Sequence, residues 1–350
     1  VEKYGIKTFK ESVDEILDYS ERRMMEEIKK FPKKSSTAID YLDDDGVSDN
    51  PVKLKVTVRI FDKDILFDFT GSTPQVKGPI NAPIAVTLSA SYYVLRAVTD
   101  PTIPANDGAY RPLKVIAPRG TIVNAEFPAA VAGGNVETSQ RIVDVLLKAF
   151  AEITPEKIPA AAQGTMNNIT IGGIDPRTNK PFTFYETVGG GFGARPNKDG
   201  VDGIHSHMTN TMNTPIEEIE RRFPIMILEY SLRKDSCGHG KWRGGLGIKR
   251  VYKILTSGKL SVLGDRHRFS PWGLNNGGAG ASGEYLVRRE NGEIIRLKSK
   301  ATIHLNPGDI VIIKTPGGGG YGDPDKRAPR LVLEDLNDEK ISSKIAMDVY

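Results

Sequence analysis

Two histidines stand two residues apart in the middle of the sequence and are followed at once by amides and hydroxyls. His205 and His207 belong to the run "HSHMTNTMNTP". On an extended strand both imidazoles would point to the same side, where they could reach one ion. Two ligands are too few for a metal site by themselves. The run is therefore open to three interpretations: part of a metal site, a substrate-reading loop, or a polar turn.

The end of this run has the residue pattern of a helix start. Thr214 is predicted as the N-cap, Pro215 as the first helical residue, and Glu217 stands three positions after the cap. The free N–H groups of such a helix would favour a negative group held by the preceding loop. Asn210, Thr211 and Asn213 lie in that loop, but a well-capped helix with no ligand explains the pattern equally.

A glycine-rich stretch precedes the histidines. "TVGGGFGARPNKDG" contains Gly190, Gly191 and a single arginine, Arg195. Glycines allow backbone N–H groups to approach a ligand oxygen, and a guanidinium can clamp a carboxylate or a phosphate. The stretch matches no nucleotide-binding fingerprint, and a turn that needs positive φ angles is the alternative.

Two further clusters carry amides, hydroxyls and one acid. In "GGNVETSQR", Glu137 could act as a base or orient one, while Asn135, Thr138 and Arg141 could bind a polar substrate. Capping of the following helix accounts for Glu137 and Thr138 as well. The second cluster, "GTMNN", contributes Asn167, and a surface loop is its alternative.

The remaining histidines and the lone cysteine are weaker candidates. His239, His267 and His304 have no ligand-like spacing, so we interpret them as surface or hydrogen-bonded residues. Cys237 has His239 two residues on but no third partner for a nucleophile. As the only cysteine it excludes an intrachain disulfide, and a cytoplasmic location is expected.

Composition narrows the class of protein. The 350 residues include 48 basic and 44 acidic residues, a formal net charge of +4, interleaved without a basic block. Nucleic acid is therefore a poor candidate partner. No apolar run approaches the roughly 18 residues that span a bilayer, and the amino end lacks the apolar core of a signal peptide. We expect no membrane insertion.

Hydrophobic periodicity predicts an α+β fold. Apolar residues at helical spacing indicate helices over residues 9–31, 85–98 and 138–152. Residues 52–60 alternate as in a strand, and Asp62 to Asp64 turn into a second strand. Beyond Pro224, short apolar runs separated by glycine predict antiparallel sheets, with a hairpin at Asn291 and Gly292.

These patterns divide the chain into four predicted parts. They are a helical arm over 1–50, a mixed core with polar glycine-rich loops over 51–223, a β-rich domain over 224–318, and a helical tail over 319–350. The predicted class is α+β, with mixed helices and antiparallel sheets and a β-rich C-terminal region.

Nine segments in order resemble one family across nearly the whole chain. They are "YLDDDG", "FDFTGSTPQVKGPINAP", "IPANDGAYRPLKVIAPRGT", "GNVETSQRIVDVLLKAF", "GTMNN", "GGGFGARPNKDGVDGIHSHMTNTMNTPIEEIE", "GKWRGGLG", "PWGLNNGG" and "TPGGGGYGDP". The sequence resembles the hydantoinase B/oxoprolinase family, which includes B-type subunits of ATP-dependent hydantoinases, the matching half of 5-oxoprolinase, and alpha-type subunits of acetone carboxylases.

The resemblance implies a two-subunit reaction on a small-molecule substrate. An A-type ATPase subunit, which uses ATP and Mg²⁺, phosphorylates the substrate oxygen, and the B-type subunit completes the reaction with a water bound to a divalent metal, Zn or Mn. The family's metal ligands belong to a portion ahead of the segment that resembles Val1 onward. We therefore expect that a separate chain supplies this portion, or that it was lost and this sequence is a fragment.

The resemblance also suggests roles for the candidate residues. His205, His207 and Glu137 are predicted to be catalytic, and no metal ligand is assigned to this chain. The predicted substrate-binding residues are Asn135, Thr138, Arg141, Asn167, Gly190, Gly191, Arg195, Asn210, Thr211 and Asn213. Hydrolysis of an activated cyclic amide is the preferred reaction; carboxylation of a ketone, or a non-catalytic structural role, are the alternatives.

Overall fold

A long amphipathic helix, α1 (Gly5–Lys29), begins the folded chain in this computed structural model, which describes residues 1–350. It confirms the helix predicted over 9–31. Its carboxyl half buries Met24 and Ile28 in the first hydrophobic core. In its amino half the apolar stripe continues through Phe9 and Ile16, which are exposed.

The first sheet is built on the hairpin that the sequence predicts. Its strands are β1 (Ser35–Leu42), β2 (Val52–Ile60), β3 (Ile65–Asp68) and β4 (Leu113–Ile116), in that spatial order. β3 and β4 are parallel, and the other pairs are antiparallel. The period-two pattern of β2 buries every second residue, as expected for a strand with one face in a core.

Three helices follow the first hairpin, and the predicted boundaries of two of them were close. They are α2 (Ile84–Val98), α3 (Asp107–Tyr110) and α4 (Ser139–Ala151). α4 packs on α2, β1 and β2. A single π-helical turn over Gly134–Thr138 leads into α4, and such turns often occur at functional sites. Ile142, Leu146 and Phe150 face the first core, while the polar side of α4 is also buried.

The second and third sheets pack on one shared core. The second contains β5 (Asn168–Asp175), β6 (Lys180–Thr187), β9 (Gly258–Leu263) and β12 (Lys300–Leu305), in the order β12-β9-β5-β6. All its pairs are antiparallel. The second sheet contains strands from before and after residue 224. It therefore connects the mixed core predicted over 51–223 with the β-rich domain predicted over 224–318. The division into four domains stays a prediction.

The third sheet confirms the antiparallel strands predicted after Pro224. It contains β7 (Ile225–Leu232), β8 (Ile248–Ile254), β10 (Glu284–Arg288), β11 (Ile294–Leu297) and β13 (Ile310–Lys314), in the order β11-β10-β13-β8-β7. β10 and β11 form the hairpin predicted at Asn291 and Gly292, and Gly292 has a φ of +90°. Phe184 and Leu260 of the second sheet meet Tyr252 of the third in the shared core.

Extended glycine segments pack backbone against backbone between the sheets. Residues 189–193, 244–247, 273–280 and 317–320 form this glycine layer, in which Gly318 N donates to Gly245 O at 2.9 Å and Gly245 N to Phe192 O at 2.8 Å. A Cβ on Gly191 would lie 2.0 Å from Gly245 O. Glycine is required here because the neighbouring backbone segments approach too closely to leave room for any side chain.

Short helices complete the chain and correct one prediction. α5 (Ile216–Arg222) begins one residue later than predicted, with Pro215 rather than Thr214 as its N-cap and no side-chain cap. The capping box is therefore wrong: the Thr214 N–H instead donates to Glu186 Oε1 at 3.1 Å. α6 (Pro329–Asn337) and α7 (Ser343–Asp348) are the helices of the tail. Helices and antiparallel-rich sheets together confirm the α+β class.

No helix in the structure combines the length and apolarity that crossing a bilayer requires.

Candidate functional site

A buried cluster of charges lies where the polar side of α4 meets the loops between the sheets. We call it the central junction. Three cations and several carboxylates are nearly or fully inaccessible to solvent there. Its principal members are Asp40, Asp43, Glu137, Asp144, Asp265, Arg141, Arg266 and Lys300. Buried charges need partners, and the junction supplies them from segments far apart in sequence.

Arg141 is one of the predicted substrate-binding residues, and its guanidinium is bound to other groups of the protein. Its Nη1 donates to the Tyr41 carbonyl at 2.7 Å and lies 3.4 Å from Asp40 Oδ1. Its Nη2 lies 3.3 Å from Asp265 Oδ1. Because the side chain is fully buried, Arg141 connects α4 to β1 and to the end of β9.

Arg266 holds the other side of the junction. Its Nη2 lies 2.6 Å from Asp144 Oδ2 and 3.2 Å from Asp40 Oδ2. Its backbone is left-handed, with a φ of 66°, which is uncommon for a buried non-glycine residue. Gly164 makes room for this pair, since a Cβ there would lie 2.4 Å from Asp144 Oδ2.

The cations keep Asp40, Asp144 and Asp265 ionised. Burial alone would raise the pKa of Asp144, but the neighbouring Arg266 and His207 outweigh burial and lower it below its ordinary value. The pKa of Asp265 is lowered in the same way, with Lys300 as its largest opposing influence. The Nζ of Lys300 lies 3.0 Å from Asp265 Oδ2.

Glu137, like Asp43, is an acid of the junction whose pKa burial raises above its ordinary value. It stands in the π-turn and is completely buried. Oε1 accepts hydrogen bonds from Met166 N at 3.2 Å and from Asn168 Nδ2 at 2.9 Å, while Oε2 has no partner. Burial raises the pKa of Glu137 to about 8. A carboxyl that holds its proton near neutral pH can act as an acid, or as a base once ionised.

A hydrogen-bond chain links Glu137 to a surface cleft. Asn168 Oδ1 accepts from the Tyr185 hydroxyl at 2.7 Å, and Tyr185 is 55% exposed. The cleft has a volume of about 330 Å³ and lies between the π-turn region and the second sheet. Its eight lining residues carry no charge: Ala132, Val136, Asn168, Thr170, Tyr185, Ser261, Val262 and Leu263.

The two histidines of the polar run have different partners. His207, with a left-handed φ of 51°, places its Nε2 3.5 Å from Asp144 Oδ1 and its Nδ1 3.3 Å from the Tyr93 hydroxyl. Its side chain is 2% exposed. The Nε2 of His205 instead lies 3.4 Å from Thr211 Oγ1, and burial lowers the pKa of His205. No three His, Cys, Asp or Glu side chains of the chain are arranged to hold a metal ion.

The rest of the polar run attaches to the end of β6. Thr211 Oγ1 lies 2.7 Å from Thr187 Oγ1. Asn213 Nδ2 donates to the Thr187 carbonyl at 2.8 Å, and its Oδ1 accepts from Tyr230 at 3.1 Å. Asn210 is exposed. Thr211 and Asn213 therefore already hold the run in place.

The glycine-rich stretch packs into the interior. Gly190 and Gly191 are buried in the glycine layer, where a Cβ on Gly190 would lie 2.1 Å from Gln163 Oε1. Arg195 is partly buried and closes its own loop, with Nη2 donating to the Asp199 carbonyl at 2.8 Å. Arg195, His207 and Asn210 line none of the five best-formed clefts.

The other predicted residues divide between interior and surface. Asn167 is buried with a φ of 49°; it donates to Gln163 Oε1 at 2.8 Å and accepts from the Tyr285 hydroxyl at 2.8 Å. Thr138 is buried and donates to the Ile80 carbonyl. Asn135 is exposed on the π-turn. Of the predicted site residues, the structure brings Glu137, Arg141 and His207 into or against the central junction.

Sequence reasoning missed several residues of this site. Asp144 contacts His207, Asn168 contacts Glu137, and Tyr185 contacts Asn168, yet none of these three partners was singled out. A signal existed for Asp144, because Glu137, Arg141 and Asp144 follow i, i+4, i+7 spacing and share one helix face. The partners on other segments, Asp40, Asp265 and Arg266, left no comparable signal.

A second cleft of about 400 Å³ has a charged lining. Each arginine or lysine in that lining already has a partner: Arg268 donates to the carbonyls of Asp43 and Asp49, Arg296 contacts Glu284, and Lys298 contacts Asp49. Asp43 in turn accepts from the backbone N–H groups of His267 and Arg268. This cleft therefore offers a ligand no free cation.

Comparisons with known proteins agree on one family. The profile of the hydantoinase B/oxoprolinase family matches residues 1–324. An uncharacterized protein of Methanocaldococcus jannaschii is 50% identical over the whole chain, which covers 60% of that relative. A putative B-type subunit of a D-/L-hydantoinase from a Pseudomonas species is 36% identical, with 100% of this chain and 61% of the relative covered. A 5-oxoprolinase of Dictyostelium discoideum is 40% identical over 84% of this chain and 22% of its own length.

Two solved structures share the fold. The ATP-dependent caprolactamase from Pseudomonas jessenii matches with a TM-score of 0.90 and 26% identity, covering 100% of this chain and 62% of that one. A nucleotide-free acetone carboxylase matches with a TM-score of 0.89 at 19% identity, covering 100% and 53%. The chain thus spans about three fifths of the length of the first two relatives. It belongs to the hydantoinase B/oxoprolinase family.

Proposed function

We propose that this chain forms part of a B-type subunit of an ATP-dependent cyclic amidohydrolase. The observation that carries the proposal is 36% identity over the complete chain to a protein named as a putative B-type subunit of a D-/L-hydantoinase. The fold match to a caprolactamase supports the same reaction class, since a lactam is a cyclic amide. A cytoplasmic location and an A-type ATPase partner are parts of this proposal.

The reaction needs activation because amide resonance makes the ring a poor target for water. Phosphorylation of the amide oxygen by the A-type partner makes the carbonyl carbon more electrophilic, so that water adds to it. The ring C–N bond then breaks as the nitrogen takes up a proton, and hydrolysis of the resulting acyl phosphate releases a carboxylate and phosphate. The chain's contribution is then to bind the ring and to move protons. Glu137 is suited to proton transfer because its pKa of about 8 lies near the working range of a neutral-pH enzyme.

His207 is the second proposed proton-transfer group. Asp144 lies 3.5 Å from its Nε2 and the Tyr93 hydroxyl 3.3 Å from its Nδ1, so a carboxylate and a hydroxyl stand beside the two ring nitrogens, the kinds of group that orient catalytic histidines. His207 is nearly inaccessible in this structure, so direct contact with substrate would require the 205–214 run to move. We keep His205 as the alternative, since it is only half-buried.

The residues of this chain do not fit a divalent metal, because no group of three suitable ligands is present. Nor does the glycine layer offer a cradle for ATP, since its amides bond to neighbouring backbone. We therefore assign the divalent metal, Zn or Mn, to sequence outside these 350 residues. ATP and Mg²⁺ are assigned to the A-type partner.

Reconstitution tests the proposal. The chain, joined to the further sequence that its longer relatives carry, would be co-expressed with an A-type ATPase subunit and assayed for substrate-dependent ADP release. Hydantoins, 5-oxoproline and a simple lactam should stimulate ADP release and yield ring-opened products. Turnover of acetone with bicarbonate instead would favour the carboxylase alternative. An assembled complex whose turnover is unaffected by Glu137→Gln, His205→Ala and His207→Ala would favour a non-catalytic role.

A further inference from the structure

We infer that the uncharged cleft beside Glu137 binds a neutral cyclic amide and discriminates against ring amides that carry a carboxylate. The inference rests on the proposed function and concerns the substrate class. It assigns the ring-binding site to the cleft defined above, between the π-turn region and the outer face of the second sheet.

The shape and surface of the cleft suit a small ring. Its volume of about 330 Å³ lies at the lower end of the range for small-molecule sites. Ala132 and Val136 come from the π-turn side, and Leu263 comes from β9, where the side chain of Val262 faces the shared core instead. These apolar groups can cover the methylene face of a lactam or hydantoin ring and remove it from water.

The polar groups of the cleft belong to one face of the second sheet. Thr170 is directly opposite both Tyr185 on β6 and Ser261 on β9, so that three hydroxyls stand in one row across the sheet. Hydroxyl groups donate and accept, which matches the N–H and C=O of a ring amide. The Tyr185 hydroxyl is oriented by its bond to Asn168, and Asn168 in turn is held by Glu137 and by the Leu263 carbonyl.

Charge is the basis for discrimination. None of the eight lining residues is charged, and Lys300, the junction cation that acts on Glu137, is already bound to Asp265 and Asp44. A carboxylate placed in the cleft would lose water without gaining a cation. Glu137 behind the cleft has an unpartnered Oε2, so ionisation of Glu137 would add repulsion for an anion.

Ligand-observed NMR can test binding without ATP or partner. The probes are 2-pyrrolidinone and hydantoin as neutral rings and 5-oxoproline as the same five-membered lactam with a carboxylate. A ligand of this size is expected to bind with a Kd on the order of 1 mM. The neutral rings should bind at least about tenfold more tightly than 5-oxoproline, a ratio equivalent to one decade in Kd.

Three variants locate the binding site. Val136→Phe and Ser261→Phe each fill the cleft, one from the π-turn and one from the sheet, and each should reduce neutral-ring binding at least about tenfold. Ile174→Phe is the matched control: Ile174 is 50% exposed on the same sheet but does not line the cleft, so binding should be unchanged. Circular dichroism identifies any variant that does not fold.

The outcomes separate this inference from the proposed function. Equal binding of 5-oxoproline, absence of neutral-ring binding, or unaltered binding in both folded cleft-filling variants would overturn the inference. None of these results would contradict ATP-coupled ring opening by the assembled enzyme, which the reconstitution assay tests separately. Conversely, loss of ATP-coupled turnover in that assay would overturn the proposed function while the binding data stand.

Discussion

Glu137 Oε1 accepts a hydrogen bond from the side-chain amide of Asn168 at 2.9 Å, while the buried Oε2 of the same carboxyl has no partner. The π-turn creates this arrangement by carrying Glu137 under the end of β5. One oxygen is therefore fixed by amide donors, and the other is buried and accepts no hydrogen bond from the protein. Burial consequently favours the protonated acid.

This relationship predicts a specific pH dependence of stability. The pKa of Glu137 is raised from 4.5 to about 8 on folding, so the folded state retains a proton that the unfolded state loses between these values. The stabilising contribution is full below about pH 4.5 and is lost as the pH rises to about 8. Glu137→Gln cannot ionise, so the stability of wild type relative to the variant should fall by a few kcal/mol across this window.

Urea unfolding of both proteins at several pH values measures this difference. Glu2→Gln at the exposed amino end is the matched control and should run parallel to wild type. Parallel profiles for wild type and Glu137→Gln would mean that Glu137 ionises normally in the folded protein.

The contact of His207 with Asp144 predicts a catalytic effect. In the assembled ATP-coupled enzyme, we expect His207→Ala to lower kcat about 100-fold or more, the usual cost of removing a proton-transfer group. His304→Ala is the control, because His304 is exposed on β12 and should leave turnover unchanged. If both variants turn over at the wild-type rate, His207 has no part in the chemistry.

The buried pair of Asp144 and Arg266 predicts a large effect on stability. Asp144→Ala would leave Arg266 with Asp40, at 3.2 Å, as its remaining carboxylate. Removing one partner of a buried ion pair lowers the free energy of unfolding by about 3–5 kcal/mol, and denaturant unfolding would measure this loss. The exposed pair of Arg330 and Glu334 supplies the comparison, and Glu334→Ala should cost less than about 1 kcal/mol. Similar losses for the two variants would contradict this account of the junction.

The glycine layer predicts that two glycines differ in their tolerance of alanine. A Cβ at Gly191 would lie 2.0 Å from Gly245 O and 2.2 Å from Gly318 N, and neither backbone segment can move alone. Gly191→Ala should therefore prevent folding or lower the thermal midpoint sharply. Gly292→Ala meets no atom within 4 Å, and its φ of +90° should cost about 1–2 kcal/mol. Thermal unfolding distinguishes them, and a Gly191→Ala protein as stable as Gly292→Ala would refute the packing argument.

Cys237 provides a reactivity test of the same interior. Burial raises the pKa of its thiol to about 12. Because the thiolate is the reactive form, iodoacetamide at pH 8 should label Cys237 in the folded protein far more slowly than in urea. Mass spectrometry measures the labelling, and equal rates in both conditions would show that the thiol is accessible.

Local patterns predicted the secondary structure well. The three long helices, the hairpin of β2 and β3, and the hairpin at Asn291 and Gly292 all form as expected. The N-cap at Thr214 failed because a tertiary contact competed with it: Glu186, on another strand, accepts the Thr214 N–H. A capping pattern contains no information about such a partner.

The sequence by itself determined the α+β class, the main helices and hairpins, and membership of the hydantoinase B/oxoprolinase family, because these depend on periodicity and on ordered motifs. Only the tertiary structure decided what the polar residues do. In the folded chain Gly190 and Gly191 pack closely against neighbouring backbone and side-chain atoms, and Arg141 belongs to a buried network of ion pairs. The tertiary structure also placed Glu137 beneath an uncharged cleft. The physical reason is that burial and pairing arise between segments more than 100 residues apart, as between Asp144 and Arg266, and spacing along the chain does not encode them.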